Sequence, residues 1–424
     1  MNELADHRTW KAGDDAPAPL PAKAHAAATA AAAPAVRSRI AFFGHDANES
    51  TIRKRIGAFL RHGAHVHAFT FRRDHANATA PERWPNVALG TTSDRNYLSR
   101  IAKLVRAVPR LVRHRRELAR CDVFYARNLD MLALAALAQR LSGKRSRLVY
   151  EVLDVQRVMT RSDIVGRAFR LAERILLRRC TLLVVSSPDF VAHYFEPSQG
   201  YRGPWYLLEN KVVPADDGMQ SPAPGARSPP PGPPWVIGWF GTLRCVRSLK
   251  ILCALADRFP DRVHVVLRGR PSERDLPTDT IRAAVAGRSN MAYHGPYRSP
   301  DDLPDIYGAV HLSWSIDYLD AGTNSDWLLP NRVYEGGLHG ALQVARQGTA
   351  TGRMVDRLGI GWTLPEPLEE CAEAFIRRLS SADIASARER LAGCDAAVFA
   401  DETDTRQLLE RMMRSRSQPK ASKP

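Results

Sequence analysis

Two short apolar runs, each ending in glycine, open the two halves of this chain: RIAFFG from Arg39 and WVIGWFG from Trp235. A run without polar alternation buries both of its faces, as strands do in parallel sheets covered by helices on either side. Between the halves stands PADDGMQSPAPGARSPPPGPP, residues 214–234, whose prolines continue neither a helix nor a sheet ladder. The repetition around that break implies two similar folds, and a length of 424 residues suits two cores of ordinary size.

The first half continues in the same style. Ile52, Ile56, Phe59 and Leu60 fall on one helical face, and HVHAFTF then completes a β-α-β unit. CDVFYA, RLVYEV and TLLVVSS follow, and the second half adds VHVVLRG, MAYHG, AVHLSWSI and ALQVA. Strands alternating with helical patterns predict an α/β chain of two Rossmann-like, doubly wound domains. The expected organisation is a disordered leader (1–38), an acceptor-side domain (39–213), a Pro-rich linker (214–234), a donor-side domain (235–385), a helical segment that packs back across the domains (386–413) and a basic tail (414–424). The leader's AHAAATAAAAPAV is barely hydrophobic and follows acidic residues, unlike a secretory signal. No window approaches the roughly 20 strongly apolar residues of a spanning helix, so any membrane contact is expected to be peripheral.

Lys and Arg total 61 against 45 Asp and Glu, a formal charge of +16 that favours anionic partners. Zinc-finger spacing, RNP-like aromatic runs and repeats are absent from the sequence, which argues against nucleic acid as a partner. The six cysteines are scattered without C-x-x-C, so the expected chain is reduced, cytoplasmic and free of metal.

In open parallel sheets ligands bind beyond the carboxyl ends of strands. The first such loop, GHDANES (44–50), has one glycine and is no dinucleotide fingerprint. His45 and Asp46 line a cleft there, or Asp46 or Asn48 caps the next helix. In the second half, Gly241 and Thr242 lead toward a helix, with Arg244, Arg247 and Lys250 close behind: a diphosphate site, or a solvated basic face. The most specific stretch is DWLLPNRVYEGGLHGALQVA (326–345). Here Asn331 is a candidate N-cap, Glu335 a carboxylate for both ribose hydroxyls and Arg332 a cation for the diphosphate, while Gly336 and Gly337 permit close approach. The competing reading, an exposed Arg–Glu pair, is worth only about 0.3–0.5 kcal/mol and explains neither glycine.

FYARNLD (124–130) and YEVLDVQR (150–157) place polar residues directly after apolar runs. Arg127, Asn128 and Arg157 are candidates for holding an acceptor sugar, and Glu151 and Asp154 for the general base. Asp154 is the first choice, with His45 or Asp46 in reserve; as an alternative, Asp154 caps a helix or pairs with Arg157. Residues 97–120, YLSRIAKLVRAVPRLVRHRRELAR, form a basic amphipathic stretch expected to bend at Pro109. It suits either an anionic membrane surface or a solvated, core-facing helix pair.

Together, RIAFFGHD, FYARNLD, YEVLDVQR, VVSSP, LLENKV, GWFGTLR and LPNRVYEGG resemble bacterial exopolysaccharide glycosyltransferases of the succinoglycan-biosynthesis kind, over roughly residues 39–400. The segment around Glu335 looks like the donor site of family 4-like GT-B glycosyltransferases, and FGT-x-R…K is similar to their diphosphate loop. The resemblance implies two Rossmann-like domains facing across a cleft, and a nucleotide-sugar co-substrate, by analogy a UDP-sugar, with no separate cofactor. It also implies a lipid-linked or polysaccharide acceptor at the inner face of the plasma membrane. The sequence departs from that pattern in one place: many family-4 enzymes carry two glutamates eight apart, whereas Trp327 stands eight before Glu335. Asp326 and Asp317 are the candidate substitutes, the choice between retaining and inverting transfer stays open, and a catalytically inactive partner subunit becomes the alternative function.

Overall fold

The structure, a computed structural model, describes residues 38–73, 82–92, 97–213 and 229–414. The leader up to residue 37, linker residues 214–228 and the tail from 415 lie outside the described residues.

Seven parallel strands form the first sheet: β1 (Arg39–Gly44), β2 (His65–Arg73), β3 (Asn86–Thr92), β4 (Val123–Arg127), β5 (Arg147–Val152), β6 (Leu182–Val185) and β7 (Trp205–Leu207), in the order β3-β2-β1-β4-β5-β6-β7. Six more form the second: β8 (Trp235–Leu243), β9 (Val263–Pro271), β10 (Met291–Tyr293), β11 (Leu312–Trp314), β12 (Leu342–Arg346) and β13 (Gly361–Leu364), in the order β10-β9-β8-β11-β12-β13. The two central orders are the same doubly wound pattern. Strand order reverses between β1 and β4 and again between β8 and β11, so a crevice opens beyond the carboxyl ends of those strands.

The opening runs have the two-sided burial their composition demands. Ile40 and Phe42 of β1 join the core on one face of the first sheet, while Ala41 and Phe43 join the core on the other. In β8, Trp235, Ile237 and Trp239 face the main second core and Phe240 the opposite one.

Two expectations need correction. The proposed boundary at 385/386 cuts through helix Ser381–Ala392, whose Ser380–Asp383 capping box and buried Ile384, Ala387 and Leu391 tie it to the second domain. Only helix Asp404–Met413 crosses back, packing Leu408, Leu409 and Met412 with Ile40, Phe42 and Tyr125. Pro109, where the basic stretch is expected to bend, is exposed inside helix Tyr97–Arg113, and the helical run is interrupted at His114, before helix Arg115–Leu118.

Candidate active site in the interdomain cleft

From the first domain, His45 leaves β1 half-buried, its Nε2 2.5 Å from Glu49 Oε2 and its Nδ1 3.1 Å from Asn128 Nδ2. Asn128 holds φ +70°, alone among described non-glycine residues in the left-handed region, which is strain of the kind that gathers at functional sites. Burial pushes the Glu49 carboxyl up, but the bond and charge of His45, with Arg127 behind, bring it down to about 2. Neither Asp46 nor Asn48 caps the helix Ser50–Arg61: its N-cap is Glu49, whose side chain accepts no backbone amide of the helix, and buried Asp46 accepts the Asn48 amide at 3.0 Å.

Glu151 is not available as a base. It is 1% exposed, with Oε1 3.0 Å from Arg55 Nε and Oε2 3.0 Å from Arg127 Nε. Burial would raise its pKa, yet the two guanidinium groups hold it below the usual carboxylate range. Arg127, 3% exposed and also donating to Thr51 Oγ1 at 3.3 Å, is thereby withdrawn from any acceptor.

Asp154 is different: open to solvent at the end of β5, it accepts a hydrogen bond from Asn324 Nδ2 at 3.1 Å. The Asn324 Oδ1 accepts from the Val155 amide at 2.8 Å, so one asparagine of the second domain clasps this turn of the first. Crowding by protein raises the Asp154 carboxyl, with the Arg244 charge and the Asn324 bond opposing. Arg157 does not pair with Asp154; it spans to the second domain, donating to Asp320, to Leu319 O at 3.2 Å and to Asp275 at 3.4 Å.

Facing these groups, Gly241 adopts φ +99°, and a Cβ added there would lie 3.9 Å from both Arg332 Nη2 and the Tyr297 hydroxyl. Gly241 and exposed Thr242 belong to the end of β8, and the helix starts only at Val246, capped by Cys245. Arg244 grips Asp317 Oδ2 from Nη2 at 2.7 Å and Nε at 3.0 Å. The next two cations go elsewhere. Arg247 pairs with Glu366 and Glu369 and lies over the Tyr318 ring at 4.1 Å; exposed Lys250 lines a flank groove with Glu369 and Glu373, because Leu249, Leu252 and Leu255 claim the helix's inner face.

Helix Asn331–Leu338 carries Arg332 and Glu335, the candidate donor-side residues. Its N-cap is Pro330 and not Asn331, whose side chain makes no capping bond. Arg332 Nη1 donates to Trp314 O at 3.1 Å at the end of β11, and Glu335, 8% exposed, accepts from the Tyr307 hydroxyl at 3.0 Å. Burial raises the Glu335 carboxyl, opposed by Lys54 of the first domain. Gly336 and Gly337 make room for protein, not for ligand: a Cβ would stand 2.5 Å from Gln343 Nε2 at the first and 2.3 Å from the Phe399 ring at the second. Of the candidate substitute carboxylates, Asp326 pairs with Arg346, while Asp317 faces Arg244 and feels Arg332. Trp327 stacks on His193, ring centroids 5.9 Å apart, and its carbonyl accepts from Ser187 at 2.5 Å.

Sequence reading missed Lys54 and Glu49. Lys54 donates to Asn210 O at 3.2 Å, and burial, with Glu335 opposing, lowers its ammonium pKa to about 8. A lysine inside an amphipathic helix carries no signal of this, and Glu49 meets His45 across a turn that precedes the helix, where helical spacing does not pair residues. The cleft thus carries a chain of electrostatically coupled groups from both domains: Lys54, Glu335, Arg332, Asp317, Arg244, Asp154, Glu49 and His45. Among the described residues no group of three or more His, Cys, Asp or Glu is arranged to hold a metal ion.

No protein-family model matches the chain. The succinoglycan biosynthesis protein ExoL of Rhizobium meliloti (strain 1021) is 39% identical over 376 residues, 88% of this chain and 93% of that protein. The chain belongs to the ExoL family. Solved structures with the same architecture include sucrose-phosphate synthase from Thermosynechococcus elongatus (TM-score 0.65, 15% identity, 88% of this chain and 98% of that one). Anabaena HepE, in complex with UDP and glucose, matches with TM-score 0.64 and 16% identity over 89% and 99% of the two chains. The lipopolysaccharide glycosyltransferase WaaG matches at 0.56 and 15% over 88% and 99%. At such identities the likeness speaks for the fold, and that fold is GT-B.

Proposed function

We propose that this GT-B glycosyltransferase moves a sugar from a UDP-sugar to a lipid-linked or polysaccharide acceptor in exopolysaccharide assembly, working at the inner face of the plasma membrane. The observation that carries the reading is the placement of Arg332, Glu335 and the Cβ-free edge of Gly241 on one side of the cleft, with the solvent-open carboxylate of Asp154 coupled to Arg244 from the other. Glu335 accepts the ribose hydroxyls, while Arg332 and Arg244 stabilise the negative charge that grows on the leaving diphosphate. Asp154 takes the proton of the acceptor hydroxyl as its oxygen bonds to the anomeric carbon and the bond to the diphosphate breaks, an inverting displacement. HepE was solved with UDP-glucose, which favours a uridine donor. Among the described residues no helix is long and apolar enough to cross a membrane.

The test is calorimetric titration of UDP, GDP and ADP into the protein, with transfer assayed for wild type and Asp154→Asn. UDP is expected to bind most tightly, and the variant to lose roughly 10²–10⁴-fold in turnover with unchanged UDP affinity. Preference for another nucleotide would overturn the donor assignment, and retained turnover would remove Asp154 as the base.

A further inference from the structure

Helix Ile164–Leu177 presents apolar side chains to solvent. Ile164 is 74% exposed, Val165 41%, Leu171 55% and Ile175 48%, while the inward face is built from Gly166, Glu173 and Leu177. Ile164, Ala168, Leu171 and Ile175 recur at helical spacing and make one stripe along the outer surface. The stripe has company: Val105 (64%) and Val112 (42%) are exposed on helix Tyr97–Arg113. Both helices flank the largely buried helix Leu129–Leu141 on one face of the first sheet. Six of the seven large exposed hydrophobic side chains among the described residues therefore gather on this face. Apolar side chains so concentrated mark an interaction surface.

Charge decides what kind. Arg167, Arg178 and Arg179 are exposed beside the stripe, as are Arg106, Arg113, Arg115 and Arg116 along the neighbouring ridge. The one acidic residue within helix Ile164–Leu177, Glu173, is buried beneath it, accepting from Tyr150 at 2.8 Å, Tyr194 at 2.5 Å and Gln199 at 2.6 Å. Asp163 at its start is spent on the Gly166 amide and on Arg161. Apolar side chains rimmed by cations without exposed acids on the same helix match the interface of an anionic bilayer, where the side chains enter below the phosphates that the cations meet.

The stripe is also fastened to the cleft. The first turn of the helix rests on the preceding loop so closely that a Cβ on Gly166 would stand 2.5 Å from Arg161 O. Arg170 Nη1 donates to Met159 O at 2.7 Å and to Arg161 O at 2.6 Å. That loop follows directly from Asp154 and carries Arg157. We infer that this face docks on an anionic lipid bilayer, with Ile164, Leu171 and Ile175 entering the interface, and that docking brings the Asp154 side of the cleft to the membrane surface. Its purpose rests on the lipid-linked-acceptor reading above; its evidence is separate.

The full chain is to be sedimented with vesicles of phosphatidylglycerol and phosphatidylcholine, and with phosphatidylcholine alone. Two variants are compared with wild type: Ile164→Ser/Leu171→Ser/Ile175→Ser and Arg167→Gln/Arg178→Gln/Arg179→Gln, all at exposed positions and each checked for an unchanged melting temperature. Partition onto the anionic vesicles is expected to fall roughly tenfold or more in either variant, with UDP affinity unchanged and wild type favouring anionic vesicles. Wild-type partition retained by both variants would overturn the inference. So would a dimer in solution that the apolar variant dissociates while vesicle partition stays the same, which would make the stripe a self-association surface. Failure of wild type to bind any nucleotide would sink the donor reading and leave the vesicle result to stand by itself.

Discussion

Glu151 and Glu335 are both removed from bulk water, and burial by itself raises the pKa of any carboxyl group. At Glu151 the charges of Arg127 and Arg55 outweigh burial and lower it; at Glu335 burial prevails over Lys54. The consequences differ. A carboxyl group whose folded pKa lies below its unfolded value of about 4.3 adds stability above that pH and loses it as pH falls through the folded value. Glu151→Gln should therefore cost about 3–5 kcal/mol at neutral pH, by leaving two buried guanidinium groups short of their partner. The gap between variant and wild type should narrow below about pH 4 in denaturant titrations, and a gap independent of pH would refute the ionic account. Glu335→Gln should instead spare the fold and weaken UDP binding roughly ten- to a hundred-fold, as expected for bonds of about 1.5–3 kcal/mol to a charged group. Wild-type UDP affinity should also decline toward acid pH as the raised Glu335 carboxyl takes up its proton; calorimetry across pH checks both. Equal affinity in variant and wild type would remove Glu335 from the site. The helix that carries Arg332 and Glu335 was legible because its spacing and setting are local. Glu151 was misread because a polar residue after an apolar strand looks the same whether it faces a ligand or Arg55, which is distant in sequence.

Helix Asn331–Leu338 shows how an element can be right while the reason for its residues is wrong. The two glycines do permit close approach, but what approaches is Gln343 and the Phe399 ring. Gly337→Ala should cost about 1–3 kcal/mol by overpacking, and Phe399→Leu in the same chain should recover part of that loss by vacating the space a ring occupies. Additive losses in a double-mutant cycle of melting temperatures would show that the two positions do not share that space. Strands were legible in proportion to their burial. All the central ones appear as apolar runs, whereas β3, β7 and β13, at or near sheet edges, were missed: NVALGTT mixes glycine with threonine, and WYL and GWTL are too short to show a period. The solvent-facing stripe on helix Ile164–Leu177 was equally hidden, since periodicity reports one apolar face and not whether it turns toward a core.

At the scale of the molecule, two crossings join the domains side by side. Val212, just after β7, donates to Phe399 O at 2.8 Å and accepts from the Asp401 amide at 2.8 Å, so the outgoing and returning chains are paired where they pass. Phe399 packs against Gly337 on the helix that carries Glu335, and three residues beyond Asp401 begins helix Asp404–Met413, which covers one face of the first sheet. A helix of ten residues is marginal in water by itself, so its order must come from what it buries. Leu408 and Leu409 are 0% exposed among Ile40, Phe42 and Tyr125. Around them Arg147 donates to Met413 O at 2.9 Å, Tyr206 to Asp404 O at 2.9 Å and Lys211 to Asp404 Oδ2 at 2.9 Å. Leu409→Ala should therefore destabilise the first domain by about 2–5 kcal/mol, transfer and cavity costs combined. The proposed donor residues Arg332, Glu335 and Gly241 all lie in the second domain, so UDP should bind the folded variant as it binds wild type. Saturating UDP should raise the melting temperature of the domain that binds it in both proteins. The measurement is a thermal melt of each protein with and without UDP. A Leu409→Ala chain that melts like wild type would mean the helix does not stay on the sheet in solution, and one that no longer binds UDP would mean the returning helix supports the donor side as well.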